Sequence, residues 1–123
     1  MVNEHSEVAS VISRLSDYRD RFTTILDLVG DKRKFTEDEK HHLQQLFTAL
    51  KADLKTDIKR GSTIAGRASL SETERNFLHP AVSEASARIR VATNSHPSTW
   101  HSELYSARTD ITYLLHQLEH PAI

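Results

Sequence analysis

Apolar residues stepping three and four positions at a time constrain this chain more than any other feature. Val8, Val11, Leu15, Tyr18, Phe22, Ile25 and Val29 fall on one stripe, and Trp100, Leu104, Ala107, Ile111, Leu114 and Leu118 fall on another. Such steps average near the helical period, so each stripe faces one direction along a helix and demands cover from a second helix. Leu43, Leu46, Phe47, Leu50, Leu54 and Ile58 form a third stripe, and Leu78, Val82, Ala85, Ile89 and Ala92 a fourth. The pattern predicts an all-α fold, a four-helix bundle running up-down-up-down as one domain over residues 1–123.

Capping residues set the expected boundaries. The first helix starts near Asn3 or Ser6 and stops at Val29, where Gly30 supplies the left-handed residue that ends helices. Thr36 with Glu39 spells a capping box, hydroxyl and carboxylate each accepting from the other's backbone amide, and opens a second helix that runs to about Arg60. Ser71 with Glu74 repeats that box and opens the third. Pro80 lacks the amide that would bond the carbonyl of Asn76, which predicts a kink before the stripe resumes toward Ala92. Asn94 to Pro97 reads as a turn, and Pro97 suits the first turn of a fourth helix that ends before Pro121. Gly61 to Leu70 reads as a flexible connector, long enough to exchange helices between two chains.

Sixteen basic residues against 17 acidic ones give no overall field drawing the chain toward nucleic acid or an anionic membrane. Cysteine is absent, which removes thiolate ligands, thiol nucleophiles and disulfides together and fits a reducing compartment, the cytoplasm. Met1 to Ser10 has acids and no apolar run, so neither a secretory signal nor a membrane anchor is expected there. No segment reaches the length of a transmembrane helix.

Several motifs approach a chemistry and stop short. Gly61 to Ala68 has the glycine spacing of a phosphate-binding loop, but Arg67 stands where lysine is needed, Ala68 where a metal-binding hydroxyl is needed, and a helix precedes it instead of a strand. Lys51, Lys55 and Lys59 recur every four residues and are followed by Arg60 and Arg67. Lys55, Lys59, Arg60 and Arg67 are thus a candidate anion or nucleic-acid surface. Interleaved Asp53 and Asp57, and the lack of aromatic residues nearby, argue for a solvated face instead.

Eight histidines are many for this length. His116 and His120 stand four apart, the spacing that brings two imidazoles to one ion, and they carry the alternative of a metal- or histidine-dependent enzyme. A catalytic zinc takes three protein ligands and no third is in view, so neither a metal site nor a cofactor is expected. His42 is followed by Leu43, Gln44 and Gln45, where a histidine phosphotransfer domain has Leu-Lys-Gly. Arg75 to His79 is one residue too short for the motif of helical ribonuclease domains.

What remains is the outward side of the last helix. With its stripe turned inward, Tyr105, Ser106, Thr109, Thr112, Tyr113 and His116 face away from the bundle, and Glu103, Arg108 and Asp110 fall on the flanks. A solvated face usually carries Glu, Lys and Arg. Tyrosines with threonines and a histidine offer rigid contact area and hydrogen bonds at small entropic cost, the composition found where proteins meet. The reading is a non-enzymatic binding or regulatory bundle whose partner, another protein or a second copy forming a homodimer, docks on Tyr105, Thr109, Thr112, Tyr113 and His116. The outer side of the first helix, with Ala9, Ser10, Ser13 and Ser16, is a weaker version of the same surface.

Overall fold

The computed structural model describes residues 4–120. It is all-α, and no strand occurs among the described residues. Five α-helices follow one another: α1 (Glu4–Val29), α2 (Glu37–Arg60), the short α3 (Ile64–Ser69), α4 (His79–Arg88) and α5 (His101–Glu119). The four long ones close a ring in which α1 borders α5, α5 borders α4, α4 borders α2 and α2 borders α1. Their stripes meet in one apolar cluster that includes Leu15, Phe22, Phe47, Leu50, Val82, Ala85, Trp100 and Ile111. Burial of these side chains, worth roughly 1.5–3 kcal/mol for each large one, holds the ring together.

Local chemistry places the helix ends. Gly30 takes φ 50°, and its amide donates to the Leu26 carbonyl at 2.8 Å, so α1 stops at Val29. Thr36 and Glu39 form the reciprocal box that starts α2, with the Glu39 amide 3.1 Å from the threonine hydroxyl and the Thr36 amide 2.9 Å from the carboxylate. The Lys32 ammonium first, and the Thr36 amide second, hold the Glu39 carboxyl down at about 2, so this cap stays ionised throughout the mildly acidic range. Ser71 and Glu74 form the second box at 3.0 and 3.1 Å.

Three expectations need correction. Gly61 to Leu70 is not without structure of its own but contains the short helix α3. The Thr63 hydroxyl caps α3 by accepting the Gly66 amide at 2.9 Å, and a β-carbon on Gly66 would stand 2.3 Å from the Arg60 carbonyl oxygen, so that glycine lets α3 fold back on the end of α2. Next, α4 ends at Arg88 instead of running to Ala92. Ile89 leaves helical geometry at φ −99°, ψ 83°, and Ala92 is exposed. The run from Ile89 through Val91, Thr93, Asn94 and Ser95 is poor in helix formers, and tertiary partners take its backbone groups: Glu103 accepts from the amides of Arg90 and Val91, and Lys51 Nζ donates to the Val91 carbonyl at 2.6 Å. Last, Leu115 and not Leu114 carries the α5 stripe inward. Leu115 is buried beside Ile111 and Leu118, whereas Leu114 sits at the margin of the core.

Around Pro80 the hydrogen bonding changes type. Glu74–Leu78 is π-helical, the His79 amide donates back to the Glu74 carbonyl, and α-helical geometry starts at His79 with Pro80 in its first turn. Pro80, which has no amide to give, thus stands where the π-helical pattern passes into the α-helical one. Pro97–Thr99 forms a single 3-10 turn, so α5 proper starts at His101 and not at Pro97.

Candidate partner-binding surface

The α5 stripe of Leu104, Ala107, Ile111, Leu115 and Leu118 faces the core, which forces the opposite positions outward. Tyr105 is 51% exposed and Tyr113 62% exposed. Thr109, Thr112 and His116 are exposed with them, while Ser106, expected on the same side, is half-buried. At about 1.5 Å rise per residue the two tyrosines stand roughly 12 Å apart along the helix.

These residues form one wall of a shallow groove of about 580 Å³, whose other wall is Arg19 and Thr23 of α1, with Arg108 between them. Sequence reading placed Arg108 on a flank of α5; in the fold it lies in the groove. Its guanidinium donates to the Thr23 hydroxyl at 3.2 Å and lies 5.2 Å from the centre of the Tyr105 ring. The His101 ring, one turn earlier on the same face of α5, stacks against Tyr105, 6.1 Å away and 12° from parallel. Gln117 Nε2 donates to the Tyr113 hydroxyl at 2.9 Å, which leaves the hydroxyl proton free for another acceptor. The Thr109 hydroxyl donates to the Tyr105 carbonyl at 2.9 Å. Each of the two tyrosines is therefore contacted by a neighbour on its own helix.

The remaining candidates are dispersed. His116 and His120 bring their rings to 4.8 Å, but no group of three His, Cys, Asp or Glu suited to a metal ion occurs among the described residues. Two members of the basic row on α2 have partners within the fold. Lys51 turns away to Val91 and lies 4.9 Å from the centre of the Phe47 ring, and burial pushes its ammonium below the ordinary lysine value. Arg60 pairs with Glu74 at 3.3 Å and with Asp57 at 3.7 Å, which leaves exposed Lys55, Lys59 and Arg67 without its charge. Arg75 and His79 are spent on chain carbonyls, those of Leu70 at 2.9 Å and Ile58 at 3.3 Å.

Sequence reading missed a polar junction between α1, α2 and the π-helical turn. Asp57, with its side chain 9% exposed, accepts from the Arg14 guanidinium and the Tyr18 hydroxyl, and Glu74 pairs with both Arg14 at 3.5 Å and Arg60 at 3.3 Å. Burial first, and the bond to Asp57 second, push the Tyr18 phenol well above its ordinary value. Ser13 of the weaker α1 surface borders this junction. Every member is engaged with another, so the junction clasps α1, α2 and the π-helical turn together.

No helix among the described residues is long and apolar enough to cross a membrane. Comparison with protein-family models, with curated proteins and with solved structures finds no match.

Proposed function

We propose that this chain is a non-enzymatic binding module that docks a helix of a partner protein in the groove between α5 and α1. The observation that supports it is the pair of tyrosines, each more than half exposed, fixed by neighbours on one face and separated by two helical turns. Half-exposed aromatic rings have apolar area still to bury, and rings already held lose little freedom when they do. Tyrosines in such positions are the side chains that dominate binding energy at interfaces. The lack of cysteine in the sequence supports the cytoplasm as the place where the module works.

A partner protein fits this groove better than a second copy. Dimers of one chain meet through the same patch twice, and this patch repeated brings arginine toward arginine with no carboxylate between them. Tyr105→Ala and Tyr113→Ala are each expected to weaken partner binding by about ten-fold or more, with helicity unchanged by circular dichroism because both side chains stand outside the core. Unaltered affinity in both variants would remove the groove from consideration. A solution mass that doubles with concentration in the wild type and stays monomeric in both variants would replace the partner protein by a second copy.

A further inference from the structure

The charge in the groove identifies the kind of helix that fits. Its lining contains Arg19, Arg108 and His116 and no carboxylate. Of the nearby carboxylates, Glu103 accepts the amides of Arg90 and Val91 and Asp110 pairs with Arg88 at 2.9 Å, while exposed Asp27 and Glu119 lie outside the lining. Arg108 has no carboxylate within ion-pair distance among the described residues, and its contacts are a neutral hydroxyl and an aromatic face. Arg19 has only its chain neighbour Asp20 at 3.2 Å, a pair with the carboxylate 68% exposed, which is a weak hold.

Arg108 is thus an oriented cation without a counter-ion, at the centre of an aromatic-rimmed groove. A guanidinium whose fork is already fixed loses little freedom on meeting a carboxylate, and the planar match allows two parallel bonds. Resting on the docking reading above, the geometry points to an acidic amphipathic helix as the partner: apolar or aromatic side chains cover Tyr105 and Tyr113, and a Glu or Asp between them pairs with Arg108, with a second reaching Arg19 or His116. A nucleic-acid strand suits the groove less well, because two permanent cations cannot match a continuous row of phosphates.

Selection of a displayed library of random helical peptides against the folded full chain tests this. The expected outcome is a pool enriched in Asp and Glu. Its members lose binding on the Tyr105→Ala/Tyr113→Ala double variant, weaken roughly five-fold on Arg108→Gln, and weaken further as salt is raised. A pool that is neutral or basic yet still needs both tyrosines overturns the acidic partner and leaves the docking groove standing. A pool indifferent to the tyrosines, or no enrichment, overturns both. Displacement of an enriched peptide by a mixed-sequence single-stranded oligonucleotide would likewise overturn the acidic-helix reading in favour of phosphate.

Discussion

Trp100→Ala is expected to cost about 3–5 kcal/mol, the largest loss from any one side chain of this fold. Trp100 is fully buried, its ring centre lies 4.7 Å from that of Phe47, and its indole nitrogen donates to the Ser95 hydroxyl at 2.8 Å. One residue therefore fills the core where the 3-10 turn enters α5, and it also ties down the segment that crosses from α4. Alanine removes the packing and leaves the Ser95 hydroxyl without that donor. For a domain of this size the melting temperature should fall by roughly 10–20 °C, followed by circular dichroism. Trp100→Phe, which keeps most of the volume, should lose less than half as much. A fall of only a degree or two in the alanine variant would show that Trp100 does not pack as described.

The second large effect is expected at the clasp. Asp57→Ala leaves Tyr18 without an acceptor and Arg14 with Glu74 alone, in a partly buried setting, at a cost of about 2–3 kcal/mol. The same site shapes stability at high pH. Tyr18 holds its proton more tightly in the folded chain than in the unfolded one, so its contribution is complete below the ordinary tyrosine value of 10.0 and is lost as pH rises from there toward its own raised value. Over that window the loss approaches about 1.4 kcal/mol per pH unit. Denaturant titrations across the alkaline range should show this slope in the wild type. It should be absent in Tyr18→Phe, and it should level off at a lower pH in Asp57→Ala, where one of the causes of the shift is gone. An Asp57→Ala variant as stable as wild type would contradict the clasp.

Much of the fold is legible in the sequence because it rests on local rules. The stripe of α1, the box at Thr36 and Glu39, the box at Ser71 and Glu74, and the stop at Gly30 each involve residues within four positions of one another, and each stands in the structure as read. What escaped depends on distant neighbours. Leu114 and Leu115 are adjacent leucines that fit an alternating stripe about equally well; the way α5 lies against α1 and α4 selects Leu115, giving steps of three, four, four and three from Leu104 to Leu118. The early end of α4 is set by Glu103 and Lys51, which take backbone groups of Arg90 and Val91 that a further helical turn would have used.

The candidate surface divides in the same way. Exposure of Tyr105, Thr109, Thr112, Tyr113 and His116 follows from the stripe opposite them and was readable. The second wall of the groove was not, because Arg19 and Thr23 lie some 85 residues before Arg108 and meet it only through the packing of α1 on α5. The clasp was hidden for the same reason. Asp57 reads as part of a solvated face and Glu74 as half of a capping box, nothing local singles out Arg14, and only the fold brings the three together.

Site-directed photo-crosslinking tests the docking groove most directly. A benzoylphenylalanine side chain is placed at Tyr105, at Tyr113 or, as a control, at exposed Lys55 on α2, in the native cell. Positions 105 and 113 are expected to capture the same partner, through a helical segment rich in acidic residues, and position 55 is not. Capture from position 55 alone, or equally from all three, would contradict it.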